Sequence, residues 1–367
     1  MTDLFEPLAF TRGKPMKNRF MLAPLTNSQS HADGIMSEDE FNCLTYRATG
    51  GFGLVMTCAA HVQRVGQGFL GQMGVFGDQH LSGLTRLAAE IRARGALSSL
   101  QLHHAGFRSS EALIGERPVS PSDFAESNAR ALTTAEVEQL IEDFIVAAVR
   151  CEKAGFDGVE IHGAHGYIIC AFISAETNQR TDRYGGSFEN RSRIVFEIIK
   201  GIRARTGKNF QLGLRLSPER FGMKMDEQLL LAEQVMTSGD IDYLDMSLWD
   251  VFKAPVEADY AHKPLIDWFA GLPRGTAKLG VAGKIMSAEA CRKVLEHGAD
   301  FSLIGRGAIL HHDFPQRVAA DADFKTIALP VTRAYLRNER LGPAFVEYMN
   351  TWKGFVVQDE AAQAAAD

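Results

Sequence analysis

The 367-residue chain has no apolar run long enough to cross a membrane. Stretches such as Phe144 to Val149 fall far short of the roughly 20 residues a spanning helix needs. The N-terminus, Met1-Thr2-Asp3-Leu4-Phe5-Glu6-Pro7, lacks the basic and apolar segments of a secretory signal, so the cytoplasm is the expected compartment. The five cysteines, at 43, 58, 151, 170 and 291, form no CxxC pair, which argues against a disulfide framework or an iron–sulfur cluster. Buried thiols are expected instead. No HExxH motif is present. A formal charge of -6 speaks against a general nucleic-acid surface but leaves room for a local basic pocket. The one GxGxxG match, Gly66-Gln67-Gly68-Phe69-Leu70-Gly71, lies outside any strand–turn–helix unit. It reads as a flexible loop rather than a dinucleotide site.

What is present is a regular alternation. Apolar strand-like segments fall at Phe20 to Leu25, Leu54 to Ala59, Leu97 to Leu102, Gly158 to His162, Gln211 to Leu216, Tyr243 to Leu248, Lys278 to Val281 and Phe301 to Ile304. Helical patterns separate them; a capping box is expected at Ser37 to Glu40, and Thr133 to Glu136 is expected to open a long helix. Eight strands with intervening helices predict an α/β fold, a single (β/α)8 barrel. Long excursions at 104–132 and 167–187 are expected over its mouth. Residues 1–345 are read as the barrel domain and 346–367 as a C-terminal arm, with Ala361 to Asp367 frayed.

Three groups of residues carry candidate chemistry. The segment Glu160-Ile161-His162-Gly163-Ala164-His165-Gly166-Tyr167 delivers two imidazoles and a phenol at a strand's C-terminal end. Three readings stand open: a pair holding an oxygen with a phenol as proton donor, a metal site with His103 and His104, or structural histidines. Gly280-Val281-Ala282-Gly283 and Gly305-Arg306-Gly307 close strands seven and eight, where barrels often bind phosphate.

The ordered set of motifs resembles the Old Yellow Enzyme family of NADH:flavin oxidoreductases. It runs from Lys17-Asn18-Arg19 and Ala23-Pro24-Leu25-Thr26-Asn27 through Gln101-Leu102-His103-His104-Ala105-Gly106 and His162 to Tyr167. It continues with Thr181-Asp182-Arg183-Tyr184-Gly185-Gly186-Ser187 and Glu189-Asn190-Arg191, and ends at Gly305-Arg306. The resemblance implies FMN as cofactor and NADH or NADPH as reductant. The acceptor it implies is the activated C=C bond of an α,β-unsaturated carbonyl or nitro compound. Reduction of nitro compounds or nitrate esters is the close alternative, and a flavin-free phosphate-binding lyase or isomerase the distant one. By motif position Pro24, Leu25, Thr26, Ala60, Gln101, Arg215, Gly283, Gly305 and Arg306 resemble FMN contacts. His162 and His165 resemble the pair that binds the acceptor's oxygen, and Tyr167 the general acid. No metal, nucleic acid or membrane partner is implied, and a homodimer is the family's expectation. The chain departs from the pattern at Ser28, at Phe107, which displaces an arginine to Arg108, and at Leu248-Trp249-Asp250.

Overall fold

The computed structural model describes residues 3–358, so the tail at 361–367 lies outside them. Eight parallel strands close into one barrel: Phe20–Leu22, Leu54–His61, Leu97–His103, Gly158–Gly163, Gln211–Leu216, Tyr243–Ser247, Lys278–Ala282 and Phe301–Ile304. Each pairs with its neighbour in sequence, and Phe20 to Leu22 closes the ring against Ser302 to Ile304. The strands are buried almost throughout, as a parallel sheet covered on both faces requires. The first strand stops short of the expected Leu25. Ala23 still donates to Ile304 O at 3.1 Å, but Pro24 has no N–H with which to extend the ladder.

Local signals explain the helices. Thr133 forms a complete capping box with Glu136 ahead of the helix Thr134–Ala154. Ser37 caps Glu38–Thr49 by accepting from Glu40 N, but the return half of that box does not form. The Glu40 carboxyl is wholly buried instead. It accepts from Asn27 Nδ2 at 3.1 Å, from Cys58 Sγ at 2.9 Å and from Ser30. All five cysteines are buried and free.

The inner end of the barrel is plugged. The N-terminal segment doubles back through a Leu8–Met16 bridge, and Leu8, Phe10 and Met16 pack on Leu54, Leu97, Tyr243 and Phe301. Tyr243 lies opposite Gly213 in the ladder, and its ring occupies the space a side chain there would take. At the other side of the molecule the helices Arg333–Asn338 and Pro343–Asn350 pack on Cys43, Ile309 and Leu310. The second of these helices runs across the expected domain boundary at 345.

Gly213→Ala tests the plug. Its Cβ would stand 2.1 Å from Tyr243 Cζ, between two fully buried strands. Overpacking of this kind costs about 1–3 kcal/mol. Denaturant unfolding should show that loss, and Tyr243→Phe should not relieve it, because the clash is with ring carbons.

Candidate active site

The two long excursions meet over the barrel's C-terminal end. The first carries a short parallel pair, Val119–Ser120 with Arg130–Ala131. The second begins with the buried helix Ile168–Ile173. Arg180 joins them: it donates to Pro121 O at 2.9 Å and to Leu132 O, and pairs with Asp182 at 2.5 Å. Asp182 also accepts from Thr134 Oγ1 and Tyr184 N. A Cβ on Gly185 would strike Arg180 O at 2.3 Å, and Ser187 caps the helix Phe188–Arg205. The run from Thr181 to Ser187 is therefore a structural knot that fixes both excursions.

The turn after the fourth strand places the imidazoles. His165 and Gly166 both have left-handed backbones, at φ 64° and 73°. That conformation is costly for histidine, and two contacts hold it. Ser217 Oγ accepts from His165 N at 3.0 Å, and Arg108 donates to His165 O at 2.7 Å. The arginine displaced by one position in the sequence thus still reaches the site. Its guanidinium also lies 4.9 Å over the Tyr167 ring. His162 Nε2 and His165 Nδ1 are 3.0 Å apart, and His165 Nε2 is 2.8 Å from Ser247 Oγ. Arg215 donates to the same Ser247 oxygen at 3.4 Å, which leaves the hydroxyl proton available for His165 Nε2. In that arrangement His165 carries its proton on Nδ1, facing His162.

Both rings are neutral. Burial, then the charges of Arg215 and Arg108, pushes His165 down to about 3. Burial, then the neighbouring His165 and His103, holds His162 well below the ordinary imidazole range. Tyr167 stands edge-on to His103 at 4.3 Å and 5.0 Å from the His162 ring. Burial raises its phenol above the ordinary value, so it keeps its proton at neutral pH.

Beneath this layer the barrel interior is unusually polar. Register aligns Gln101 with Glu160, His162 with Arg215, and Arg215 with Asp245. Gln101 Nε2 donates to Glu160 Oε1 at 2.7 Å. Arg215 Nε lies 3.1 Å from Asp245 Oδ2, an ion pair without the alignment of a hydrogen bond. Glu160 is raised by burial and then by Asp245, with Arg215 opposing. Asp245 is raised by burial and lowered by Arg215. One guanidinium neutralises one carboxylate, so Asp245 is the ionised member and Glu160 holds a proton.

A cavity of about 650 Å³ opens above, lined among others by Pro24, Leu25, His165, Arg215, Gly283, Gly305 and Arg306. These seven sequence candidates share one space. His162 and Tyr167 join it through direct contact with His165 or with His162. Thr26, Ala60 and Gln101 do not line it, and the Gln101 amide is engaged with Glu160. Three residues escaped sequence reasoning. Ser247 had a signal, its place at the end of the sixth strand. Glu160 sat in plain view within the motif, and Asp245 was hidden because strand parity alone does not mark a buried charge. His103 and His104 are buried, and among the described residues no group of three or more His, Cys, Asp or Glu is placed to hold a metal ion.

The GxGxxG loop proves tight rather than flexible. A Cβ on Gly66 would meet the His104 ring at 2.6 Å, and one on Gly71 would meet Ser28 O at 2.4 Å. Gly283 likewise is needed by the chain itself, since its Cβ would fall 2.8 Å from the backbone of Trp249 and Asp250. Gly305 is different. A Cβ there would touch only Leu25 and Ala23 at 3.6 Å or more. Its neighbours leave room beside it for a bound group, although its backbone at φ -97° and ψ -90° also lies outside the ordinary wells of a residue with a side chain. Arg306 beside it has no hydrogen-bond or ion-pair partner among the described residues. An open backbone with an unpartnered guanidinium fits a phosphate.

The chain matches the family described as NADH:flavin oxidoreductase / NADH oxidase over residues 3–323, and it belongs to that family. It is 35% identical over 326 residues to the probable NADH-dependent flavin oxidoreductase YqiG of Bacillus subtilis, covering 86% of this chain and 87% of that protein. It is 32% identical to the NADH:fumarate oxidoreductase of Klebsiella pneumoniae, over 88% of this chain but only 36% of that protein. Among solved structures, the old yellow enzyme homologue from Zymomonas mobilis superposes with a TM-score of 0.77 at 26% identity, over 95% of this chain and 99% of that one. Morphinone reductase in complex with tetrahydroNAD gives 0.75 at 26% identity, over 98% and 96%. The protein is an oxidoreductase of the Old Yellow Enzyme type, a family in which FMN and NAD(P)H are typical.

The buried carboxyl pair predicts a pH effect on stability. Glu160 is raised in the folded state above its ordinary 4.5. The folded protein therefore binds more protons than the unfolded chain once pH exceeds that value. Stability should fall as pH rises through neutrality, by up to ~1.4 kcal/mol per pH unit from this group. Glu160→Gln keeps an oxygen for Gln101 and carries no charge. Unfolding free energies measured across pH should show a flatter profile in the variant.

Proposed function

We propose that the cavity binds FMN and that the protein is an NAD(P)H-dependent reductase of activated C=C bonds in α,β-unsaturated carbonyl or nitro compounds. One observation carries this reading: Arg215, the His165 side chain and the Gly305–Arg306 corner open into the same cavity. Bound FMN would supply the two-electron chemistry, passing hydride from NADH or NADPH through N5 to the acceptor in alternating half-reactions. Everything else belongs to the chain.

Gly283, Gly305 and Arg306 would hold the phosphate, and Pro24 and Leu25 would form an apolar wall. Thr26, Ala60 and Gln101 would support the ring's edge from the strand ends. Arg215 would place fixed positive charge beside the cofactor's pyrimidine edge and favour negative charge there. Its pairing with Asp245 keeps that guanidinium from turning away.

His162 and His165 would hold the acceptor's carbonyl or nitro oxygen. Neutral rings suit this task, because they donate hydrogen bonds without surrendering a proton to the oxygen. Ser247 would keep the His165 proton on Nδ1, the side that faces His162, so an acceptor oxygen entering between the two rings would take over that hydrogen bond. Tyr167, protonated at neutral pH, would deliver a proton to the carbon alpha to the activating group. The fumarate relative's printed name contains an electron-poor alkene, which agrees with this acceptor class, although the chain spans about a third of that protein.

Two variants test the assignment. Arg306→Ala should leave the fold intact and weaken FMN retention by about 10- to 100-fold, the worth of a charge-assisted contact. Equilibrium dialysis of released and rebound FMN would measure it, and unchanged affinity would remove Arg306 from the phosphate site.

Tyr167→Phe addresses the proton. Anaerobic reduction by NADH or NADPH should proceed at the wild-type rate. Reoxidation by a simple enone should slow by about 100-fold, as expected on losing a general acid. Stopped-flow absorbance separates the two phases, and an enone reoxidation rate equal to wild type would assign the proton to water.

A further inference from the structure

We propose that Arg220, stacked on Trp249 at the cavity's edge, forms a subsite for an oxyanion, and that the acceptor carries a carboxylate apart from its activating group. The proposal deepens the reading above and rests on it.

Five cationic side chains line the cavity: Arg215, Arg220, Lys253, Lys284 and Arg306. Three have carboxylates of their own. Arg215 faces Asp245, Lys253 pairs with Glu219, and Lys284 lies 3.0 Å from Asp250. Arg306 is the phosphate candidate. That leaves Arg220, which has no carboxylate or carbonyl partner among the described residues. Arg220 is exposed, so water satisfies it where no partner does, and its N–H groups are accessible to a ligand entering the cavity.

The position of Arg220 is built rather than incidental. Its guanidinium lies 4.5 Å over the Trp249 ring, and that ring stands edge-on to His165 at 6.3 Å. Trp249 therefore stands beside the imidazole that would hold the acceptor's oxygen, and Arg220 lies on the face of Trp249 and lines the same cavity. Both have left-handed backbones, at φ 66° and 61°, and Phe221 between Arg220 and Gly222 is left-handed too. Such a turn persists only when its surroundings hold it. Here Glu219, almost wholly buried, accepts from Lys253 Nζ and from Val256 N at 2.7 Å, tying the loop after strand five to the loop after strand six. The Phe221 ring packs on Gly166, next to His165. Arg220 is presented on a fixed frame, with an aromatic face that holds its planar fork and leaves its N–H edge for a carboxylate.

The same oxyanion chemistry has a second source, the pyrophosphate of the nicotinamide dinucleotide, so the test has an arm for each. The probes are 4-oxopent-2-enoate, its methyl ester, the saturated 4-oxopentanoate, and tetrahydroNADH as a dinucleotide that transfers no hydride. With FMN-loaded wild type and Arg220→Gln, calorimetry should show 4-oxopentanoate binding weakened about 10- to 100-fold in the variant. The ratio of kcat/KM for the acid to that for the ester should fall by the same factor. Arg220→Lys should recover part of it, since it restores charge without the planar fork. Weakened tetrahydroNADH binding with an unchanged acid-to-ester ratio would assign the subsite to the dinucleotide and overturn the carboxylate claim. Loss of FMN from R220Q, with that ratio unchanged, would assign Arg220 to the cofactor's phosphate and equally overturn it. No change in any of the three would leave a surface arginine only. A wild-type protein that binds no FMN would instead defeat the proposed function, so the two failures are distinguishable.

Discussion

A guanidinium inside a closed barrel sets the terms for its neighbours. Arg215 is buried, and a buried charge is costly unless something opposite stands beside it. Asp245 does so from the adjacent strand. That pairing uses the guanidinium these carboxyls share, and Glu160 then holds its proton. Arg215 also reaches Ser247, which orients His165, and its charge helps keep His165 neutral. The ionisation states of the layer follow first from burial and then from this ion pair and the strand register that creates it.

The barrel supplies this layer, and the loops supply the shape above it. His165 sits in a backbone conformation that a histidine rarely adopts, gripped at its N–H by Ser217 and at its carbonyl by Arg108. Those contacts come from the loops after strands five and three. A ring mounted on one strand end is therefore aimed by two others, which is how a barrel turns separate chain segments into one site.

The fold was legible because each signal was local. Apolar strands and the helix start at Thr133 required no knowledge of distant residues. The departures were physical. Pro24 cut the first strand short, and burial drew Glu40 away from its capping role. The candidate site was legible in part. His162, His165 and Arg306 stand out by residue type at strand ends and Arg215 by motif position in the resemblance, and the structure brings them near one another. Ser247 and Asp245 do not, because a serine or aspartate in a strand gains its meaning from the ring or guanidinium on the neighbouring strand. Arg108 seemed misplaced by one residue. A 3-10 turn at Gly106–Arg108 lets it reach His165 all the same, and register in the sequence is a poor guide to reach when the side chain is long.

The Arg180 junction has a consequence for how such proteins diversify. Its guanidinium holds the backbone of one excursion from within the other, so the two long loops share a single scaffold. Grafting either loop alone onto a related barrel would leave a charged group without its carbonyls, or carbonyls without their donor. The heritable unit at the mouth of this barrel is the pair of loops, and new acceptor preferences would be exchanged between relatives as that pair.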